Sequence, residues 1–576
     1  SPWYKEYSYV EDHFARLNTA LTRGKPVVKV GVVHPVESYW LHLGPEDTSS
    51  EKRWALEHNF QNITKWLLLG QVDFDFIAES LLPDLCKEAG SPLKVGEMEY
   101  DTIIVPGMET MRRTTFERLK AFKEKGGKIV FVGECPKYMD AVETNEIEAL
   151  YNDSIKVPFE REKILEVLSE DKVINIYKEN ALSDKYLYNL RDDENCMWLF
   201  IARGVHVNDK EDTQAEKLKI VIKGEYYPKV YDTINGEVKD VEFSYENGNT
   251  VVYAKLHSYD SLLLRLGKLE KVEIMDNVSY TLEEPNVYLL DIAEYALDDE
   301  EYNEAEEILR TDNKLRERLG WQLRRSAFPQ PWTVEEEKIV HKARLRFAID
   351  SEITVKEPLL AIEDAERIEI VFNGEKVANK VVGWFTDEAI KTVRLPEIRK
   401  GTNILEVSIP FGKRTNVEWC YILGDFGVVV EGTRKTITER NDKVRYGTIT
   451  DQGMPFYGAN IVYHNEIELD EDSALRVRIP KYRGALVKVL LDSREVGKIV
   501  YTPYELVIPN VKKGKHVLGF VLYGNRHNSF GTLHNCNEKT WWFGPDAWRT
   551  TGDSWSYEYS LKDMGILEKP IVEKLK

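Results

Sequence analysis

Tyr100-Asp101-Thr102-Ile103-Ile104-Val105-Pro106, the amphipathic run Thr115 to Lys125, the pair Gly126-Gly127 and then Lys128-Ile129-Val130-Phe131-Val132 read in order as strand, helix, helix stop and strand. A continuous apolar run without polar alternation marks a strand covered on both faces. A glycine ends a helix because it takes up the left-handed backbone at no steric cost. The alternation extends outward, with strand-like Val27 to His34, helical Glu51 to Leu69 and strand-like Phe74 to Ala78. Residues 25–182 are therefore expected to form a doubly wound α/β domain around a parallel sheet.

Ahead of it, Trp3, Tyr7, Val10, Phe14, Leu17 and Leu21 recur at helical spacing up to the stop Arg23-Gly24-Lys25-Pro26, which predicts a helix over residues 1–24. From about Lys185 the texture changes to period-two strands with hairpin signals, such as Ile234-Asn235-Gly236 and Asn247-Gly248 before Thr250-Val-Val-Tyr-Ala-Lys-Leu256. Residues 183–270 are expected to be a small β-sandwich. Residues 285–330 mix helix and strand signals, and 271–335 read as a connector. The acidic run Asp298 to Glu301 with Glu304, Glu306 and Glu307 reads as a solvated helical face. An internal repeat follows. Residues 359–411 carry strand, Asn373-Gly374 turn, aromatic Gly383-Trp384-Phe385, Lys400-Gly401 turn and strand, and residues 485–523 repeat that order with Asp492-Ser493, Thr502-Pro503-Tyr504 and Lys513-Gly514. Two sandwiches of one type are expected, over 336–440 and 441–576. Asn373-Gly374 is read as a turn and not a site.

The 576 residues suffice for about four domains. A net charge of -20 repels nucleic acid and anionic membranes, and no apolar run is long enough to span a bilayer. A neutral, hydroxyl-rich partner fits this balance better. Cys86, Cys135, Cys196, Cys420 and Cys536 are odd in number and scattered, which argues for reduced thiols rather than disulfides or zinc. That points to a cytoplasmic protein, with a secreted or periplasmic one as the alternative. Ser1-Pro2-Trp3-Tyr4 is neither a signal peptide nor an initiator methionine, and reads as a cut end.

The repeat resembles the galactose-binding-like jelly roll that accompanies the barrels of family-2 glycoside hydrolases. Tyr457-Gly-Ala-Asn-Ile-Val-Tyr463 and Asn525-Arg526-His527-Asn528-Ser-Phe530-Gly531-Thr-Leu-His534 look like the C-terminal jelly roll of large bacterial glycoside hydrolases, above all the α-L-rhamnosidase-like group of family 106. The opening strand-helix-strand stretch resembles the flavodoxin-like, class I glutamine-amidotransferase-like domain that follows the barrel there and in family-42 β-galactosidases. Ser1-Pro-Trp-Tyr-Lys-Glu-Tyr7 looks like the last helix of a preceding catalytic barrel. The resemblance implies that the acid and base carboxylates belong to that barrel, because no eightfold strand and helix alternation occurs in this sequence.

Each chemical motif also has a structural reading. Val132-Gly133-Glu134-Cys135 stands where an amidotransferase nucleophile would, but Pro136-Lys137 follows it and no His-x-Glu pair supplies a base, so a structural thiol is favoured. His34-Pro-Val-Glu37-Ser38-Tyr-Trp40-Leu-His42 follows the first strand, where open sheets bind ligands. Glu37, Ser38 and Trp40 could hydrogen-bond and stack on a sugar or plug an interface. His34, Glu37 and His42 lack the further ligand that a transition metal needs. No cofactor is expected, although carbonyl oxygens in sandwich loops leave room for a structural calcium ion. On the sandwiches, Trp384 with Asp387 and Trp419 with Glu418 supply the flat ring and planar polar partner that sugars require. Arg526, His527 and Asn528 with Trp541, Trp542 and Trp548 do so again, and a core or a domain seam is the competing use for each ring.

The expected function is an ancillary, carbohydrate-associated region of a glycoside hydrolase, with a glycan and a catalytic barrel as partners. A free-standing carbohydrate-binding scaffold is the alternative. The stripe Trp3, Tyr7, Phe14 and Leu17 is expected to associate with another chain, a second copy included, or to dock against the first α/β helices.

Overall fold

The computed structural model describes residues 4–207, 214–324, 334–335, 337–540 and 543–575. Two compact units are present, Ser1–Glu270 with Leu575–Lys576, and Lys271–Lys574. Trp3 and the rest of the opening tripeptide lie outside the described residues, as do Trp541 and Trp542. Among the described residues no helix is long and apolar enough to cross a membrane.

The first unit begins with helix α1 (Tyr7–Leu21), followed by β1 (Val30–Val33), α2 (Val36–Trp40), α3 (Glu46–Leu69), β2 (Phe74–Ile77) and α4 (Leu82–Leu85). It continues with β3 (Thr102–Pro106), α5 (Arg113–Glu124), β4 (Lys128–Val132), α6 (Glu146–Asn152), β5 (Ile155–Val157) and α7 (Arg161–Val167). The five strands pair in parallel in the order β2-β1-β3-β4-β5, the doubly wound, flavodoxin-like arrangement that the sequence leads one to expect. Alternate residues of each strand feed opposite faces. Val30, Val32, Ile104 and Val130 pack with Ile63 and Leu67 of α3, whereas Ile103, Val105, Ile129 and Phe131 pack with Phe116, Leu119 and Phe122 of α5. Gly31 at the centre of β1 lets the strand sit close under Ile77, whose terminal methyl would have to move to admit a Cβ 2.6 Å away.

A small antiparallel sandwich completes the unit. One sheet runs Tyr186–Asp192, Cys196–Arg203, Ser261–Gly267 and Tyr227–Tyr231, and the other runs Ile174–Lys178, Glu216–Lys223, Asn249–Leu256 and Glu242–Glu246. Gln71 joins it to the α/β domain. Its fully buried amide donates to the Ile176 and Ser183 carbonyls at 3.0 and 2.8 Å and accepts from the Ile176 N–H at 2.6 Å. Helix α1 docks on this sandwich and not on the α/β helices. Leu17 and Ala20 pack against Cys196, Trp198 and Leu263, while Tyr7 and Phe14 remain exposed.

In the second unit two sandwiches are nested. The strand Asn277–Leu282 pairs with Lys443–Arg445 and Ile461–Leu469 in a six-stranded sheet that continues through Gly514–Leu522, Val487–Leu491 and Arg494–Ile499. Between the first two partners the chain builds the other sandwich. One of its sheets runs Asn286–Leu290, Cys420–Gly424, Leu359–Glu363, Asp387–Arg394 and Val381–Phe385. The opposing sheet runs Asn303–Glu307, Ile292–Leu297, His341–Ser351, Gly401–Phe411, Glu369–Phe372 and Glu375–Val377. Residues 286–307, within the stretch read as a connector, thus supply sandwich strands. Both repeat hairpins turn with two positive φ values, 49° and 82° at Asn373-Gly374 and 49° and 67° at Asp492-Ser493, as two-residue type I′ connections require.

The acidic run is not a solvated helical face. Glu306 and Glu307 end a strand and are buried, and Glu307 caps helix α8 (Ile308–Arg318). Its carboxylate accepts the Leu309 and Arg310 N–H groups, both at 3.0 Å, and the Trp419 indole N–H at 2.6 Å. Those three donors replace the water lost on burial. Trp419, considered above as a sugar platform, is thereby committed to the core.

Candidate functional site

The strand order of the parallel sheet reverses between β1 and β3, so the crevice at their carboxyl ends is where a ligand of such a sheet would sit. Own side chains occupy that place. Ser38 is fully buried, and its hydroxyl oxygen accepts the Glu109 and Thr110 N–H groups at 2.9 and 3.1 Å. Glu37 pairs with the Arg112 guanidinium at 2.5 Å, and His42 bonds Glu109 at 2.8 Å. Arg112 also donates its backbone N–H to Glu79 at 2.8 Å. Glu79, not among the residues singled out above, is 3% exposed, and burial pushes its carboxyl up to about 7. The Thr115 hydroxyl lies beside it and opposes the shift. Trp40 instead turns outward and is 54% exposed. His34 packs on Phe60 and Phe76, and burial lowers its pKa.

Cys135 follows β4 and is half-buried. Burial, aided by the Glu148 charge, raises its pKa, which is the opposite of what activates a thiol. Its sulfur contacts only the Pro136 carbonyl, at 3.6 Å, among the described hydrogen-bond partners. Among the described residues no group of three or more His, Cys, Asp or Glu side chains is gathered to hold a metal ion.

On the second unit the candidate residues separate. Trp384 is 56% exposed, and Asp387 accepts the Ala389 N–H at 2.8 Å at the start of the next strand. Arg526 takes a positive φ of 59° and forms a two-pronged ion pair with Glu284, while its guanidinium stands 5.8 Å from the Phe385 ring. Asn528 is buried and clamps the Lys562 backbone, donating to its carbonyl at 2.8 Å and accepting its N–H at 2.9 Å. Burial, with Lys562 nearby, lowers the His527 pKa. Arg526 and Phe530 bring this excursion of the second sandwich onto the inserted sandwich, where Phe530 packs on Phe385 and Tyr421. Trp542 lies outside the described residues.

Glu418, named above beside Trp419, and Asp291 have surroundings that the sequence does not show. Burial pushes the Glu418 carboxyl up to about 7, with Glu363 reinforcing the effect and Arg549 and Arg324 opposing it. The fully buried Asp291 bonds His534 at 2.9 Å, the Tyr559 hydroxyl at 3.1 Å and the Lys435 ammonium. Burial opposes its ionisation, but Lys435 and His534 hold it below the usual carboxylate range.

No family model matches the chain, and no curated protein matches it. Among solved structures it is similar to a rhamnosidase from Novosphingobium sp. PP1Y, with 12% identity, 99% of this chain and 41% of that one covered, and a TM-score of 0.34. It is also similar to a GH42 β-galactosidase from G. stearothermophilus, with 13% identity, 46% and 44% covered and a TM-score of 0.32. For α-L-fucosidase isoenzyme 2 from Paenibacillus thiaminolyticus the values are 10%, 42% and 49%, and 0.26. The likeness, at low identity, is to large glycoside hydrolases. The chain spans about two fifths of the rhamnosidase's length and less than half of the other two.

Proposed function

We propose that this chain is the ancillary, carbohydrate-associated region of a glycoside hydrolase of α-L-rhamnosidase-like type, which supports a catalytic barrel carried outside these 576 residues. The observation that carries this reading is the filled carboxyl edge of the parallel sheet. Ser38, Glu37 and Arg112 occupy the place where an enzyme of this architecture would hold its substrate, and the nearby thiol is deactivated by burial. The α/β domain then acts as a scaffold, and the antiparallel sandwiches present the surface that meets a glycan. In the intact enzyme two carboxylates of the barrel would cleave the glycosidic bond.

The test has two arms. The full chain is assayed on aryl α-L-rhamnosides and other aryl glycosides, and it is applied to a glycan array. No turnover together with selective glycan binding is expected. Robust turnover by this chain alone, or an array without any specific signal, would overturn the reading.

A further inference from the structure

The outer face of the inserted sandwich carries a cavity of about 750 Å³ among the described residues, within the size range of small-ligand sites. Its floor is the strand His341–Ser351, on which Leu345, Phe347 and Ile349 point into the core and Arg346, Ala348 and Asp350 point out. Ala348 makes the hollow. It is a bare methyl between the Arg346 and Asp350 side chains, and its cross-strand neighbour is the apolar Ile404.

The rim is charged but compensated. Arg346 lies opposite Glu294 on one neighbouring strand and Glu406 on the other, and it pairs with Glu294 at 2.5 Å. Asp350 pairs with Arg434 at 3.2 Å, and Lys435 reaches inward to the buried Asp291. With Lys435 taken up by Asp291, two guanidinium groups and three carboxylates face the space. An anion entering it would gain no net attraction. Each carboxylate still has lone pairs and each guanidinium still has N–H groups beyond those its ion pair uses, and both are planar partners suited to adjacent hydroxyls.

We infer that this cavity, floored by Ala348 and Ile404 and rimmed by Glu294, Arg346, Asp350 and Glu406, is a binding site for a neutral, hydroxyl-rich ligand, namely an uncharged saccharide unit of a glycan. The inference rests on the carbohydrate reading above and assigns it a place that none of the sequence-level candidates occupies. An apolar floor meets the C–H face of a pyranose, while the paired charges meet its hydroxyls.

The full chain is titrated by calorimetry and by saturation-transfer NMR with methyl α-L-rhamnoside, D-galactose and cellobiose, and with D-galacturonate and D-glucosamine as charged comparators. Binding of at least one neutral probe with a dissociation constant of order 1 mM is expected. Ala348→Trp, which fills the hollow, and Glu406→Gln, which keeps the shape and removes the charge, should each weaken it at least tenfold. Trp384→Ala should leave it unchanged. The milder Glu406→Gln keeps the test decisive if the tryptophan variant does not fold. Binding that survives both cavity variants, or is lost in Trp384→Ala, overturns this site while leaving the carbohydrate reading intact. Tighter binding of either charged sugar overturns the ligand class. If no neutral probe binds, the site fails, and the glycan array decides separately whether the carbohydrate reading fails with it.

Discussion

Replacing Glu79 by glutamine should stabilise the chain at pH 8 and change it little at pH 5. Burial strips water from this carboxyl and moves it from 4.5 to about 7, with the Arg112 N–H opposing the shift and Glu37 adding to it. The folded chain therefore keeps a proton on Glu79 up to about pH 7, while the unfolded chain releases it near the ordinary carboxylate value. Between those limits folding takes up a proton, so the contribution is fully favourable below pH 4.5 and is lost as pH rises through 7. A displacement of roughly 2.5 pH units corresponds to about 3 kcal/mol at pH 8. Glutamine retains the acceptor that meets the Arg112 N–H at 2.8 Å. Its amide N–H₂ replaces an oxygen beside the Thr115 hydroxyl, which in the parent chain opposes the raised pKa. Allowing about 1 kcal/mol for imperfect pairing of the new donor leaves a gain of about 2 kcal/mol at pH 8. The unfolding transition of the first unit should then rise by roughly 4–8 °C at pH 8. Scanning calorimetry of the full chain at both pH values reads this directly. An equal shift at pH 5 and pH 8, or a loss of stability at pH 8, would refute the account.

Other expectations follow from the same geometry. Ser493→Gly should stabilise the second unit by about 1 kcal/mol in urea titrations, because Ser493 holds φ 67° at a turn position that glycine occupies without strain. Asp291→Asn should cost roughly 3–5 kcal/mol, because it leaves the buried Lys435 ammonium without its anion, and the loss should show in the unfolding midpoint of the second unit. A thiol reagent at neutral pH should modify Cys536 first and Cys135 slowly, with Cys86, Cys196 and Cys420 reacting only on unfolding. Mass-spectrometric time courses check the order, and rapid labelling of Cys135 would reopen the nucleophile reading.

The parallel sheet was legible because burial on both faces leaves an unbroken apolar signature, as in Ile103-Ile104-Val105 and Ile129 to Val132. Strand β5 was not, since Ile155 and Lys156 are exposed and only Val157 is buried. The hairpins were legible through Asn373-Gly374, whose chemistry names its own backbone geometry. Glu306 and Glu307 misled for the opposite reason. Charge is visible in a sequence, but the partner that makes its burial tolerable is not, and Trp419 lies 112 residues away from Glu307. Glu79 was hidden in the same way, as its backbone donor is 33 residues distant. Arg526 and Asn528 show a different ambiguity. Guanidinium and amide groups that suit sugar hydroxyls suit carboxylates and backbone amides equally well, and here they meet Glu284 and Lys562.

The nesting of the sandwiches has an energetic consequence that neither repeat shows by itself. The inserted sandwich leaves from Asn277–Leu282 and returns at Lys443–Arg445, and those two strands are hydrogen-bonded to each other, which is the close-ended layout of a domain that could fold alone. Its core is nevertheless completed from elsewhere. Leu533 and Phe530, carried by the excursion that follows Gly514–Leu522, pack into the inserted sandwich beside Tyr421, and His534 from the same excursion reaches Asp291. Without the excursion the sheet would expose Phe385 and Tyr421 and leave Asp291 with fewer donors. The two sandwiches should therefore unfold in one transition, with the Arg526–Glu284 pair tying the excursion back to the start of the inserted sandwich and the Asn528–Lys562 contact holding the excursion's own two limbs together.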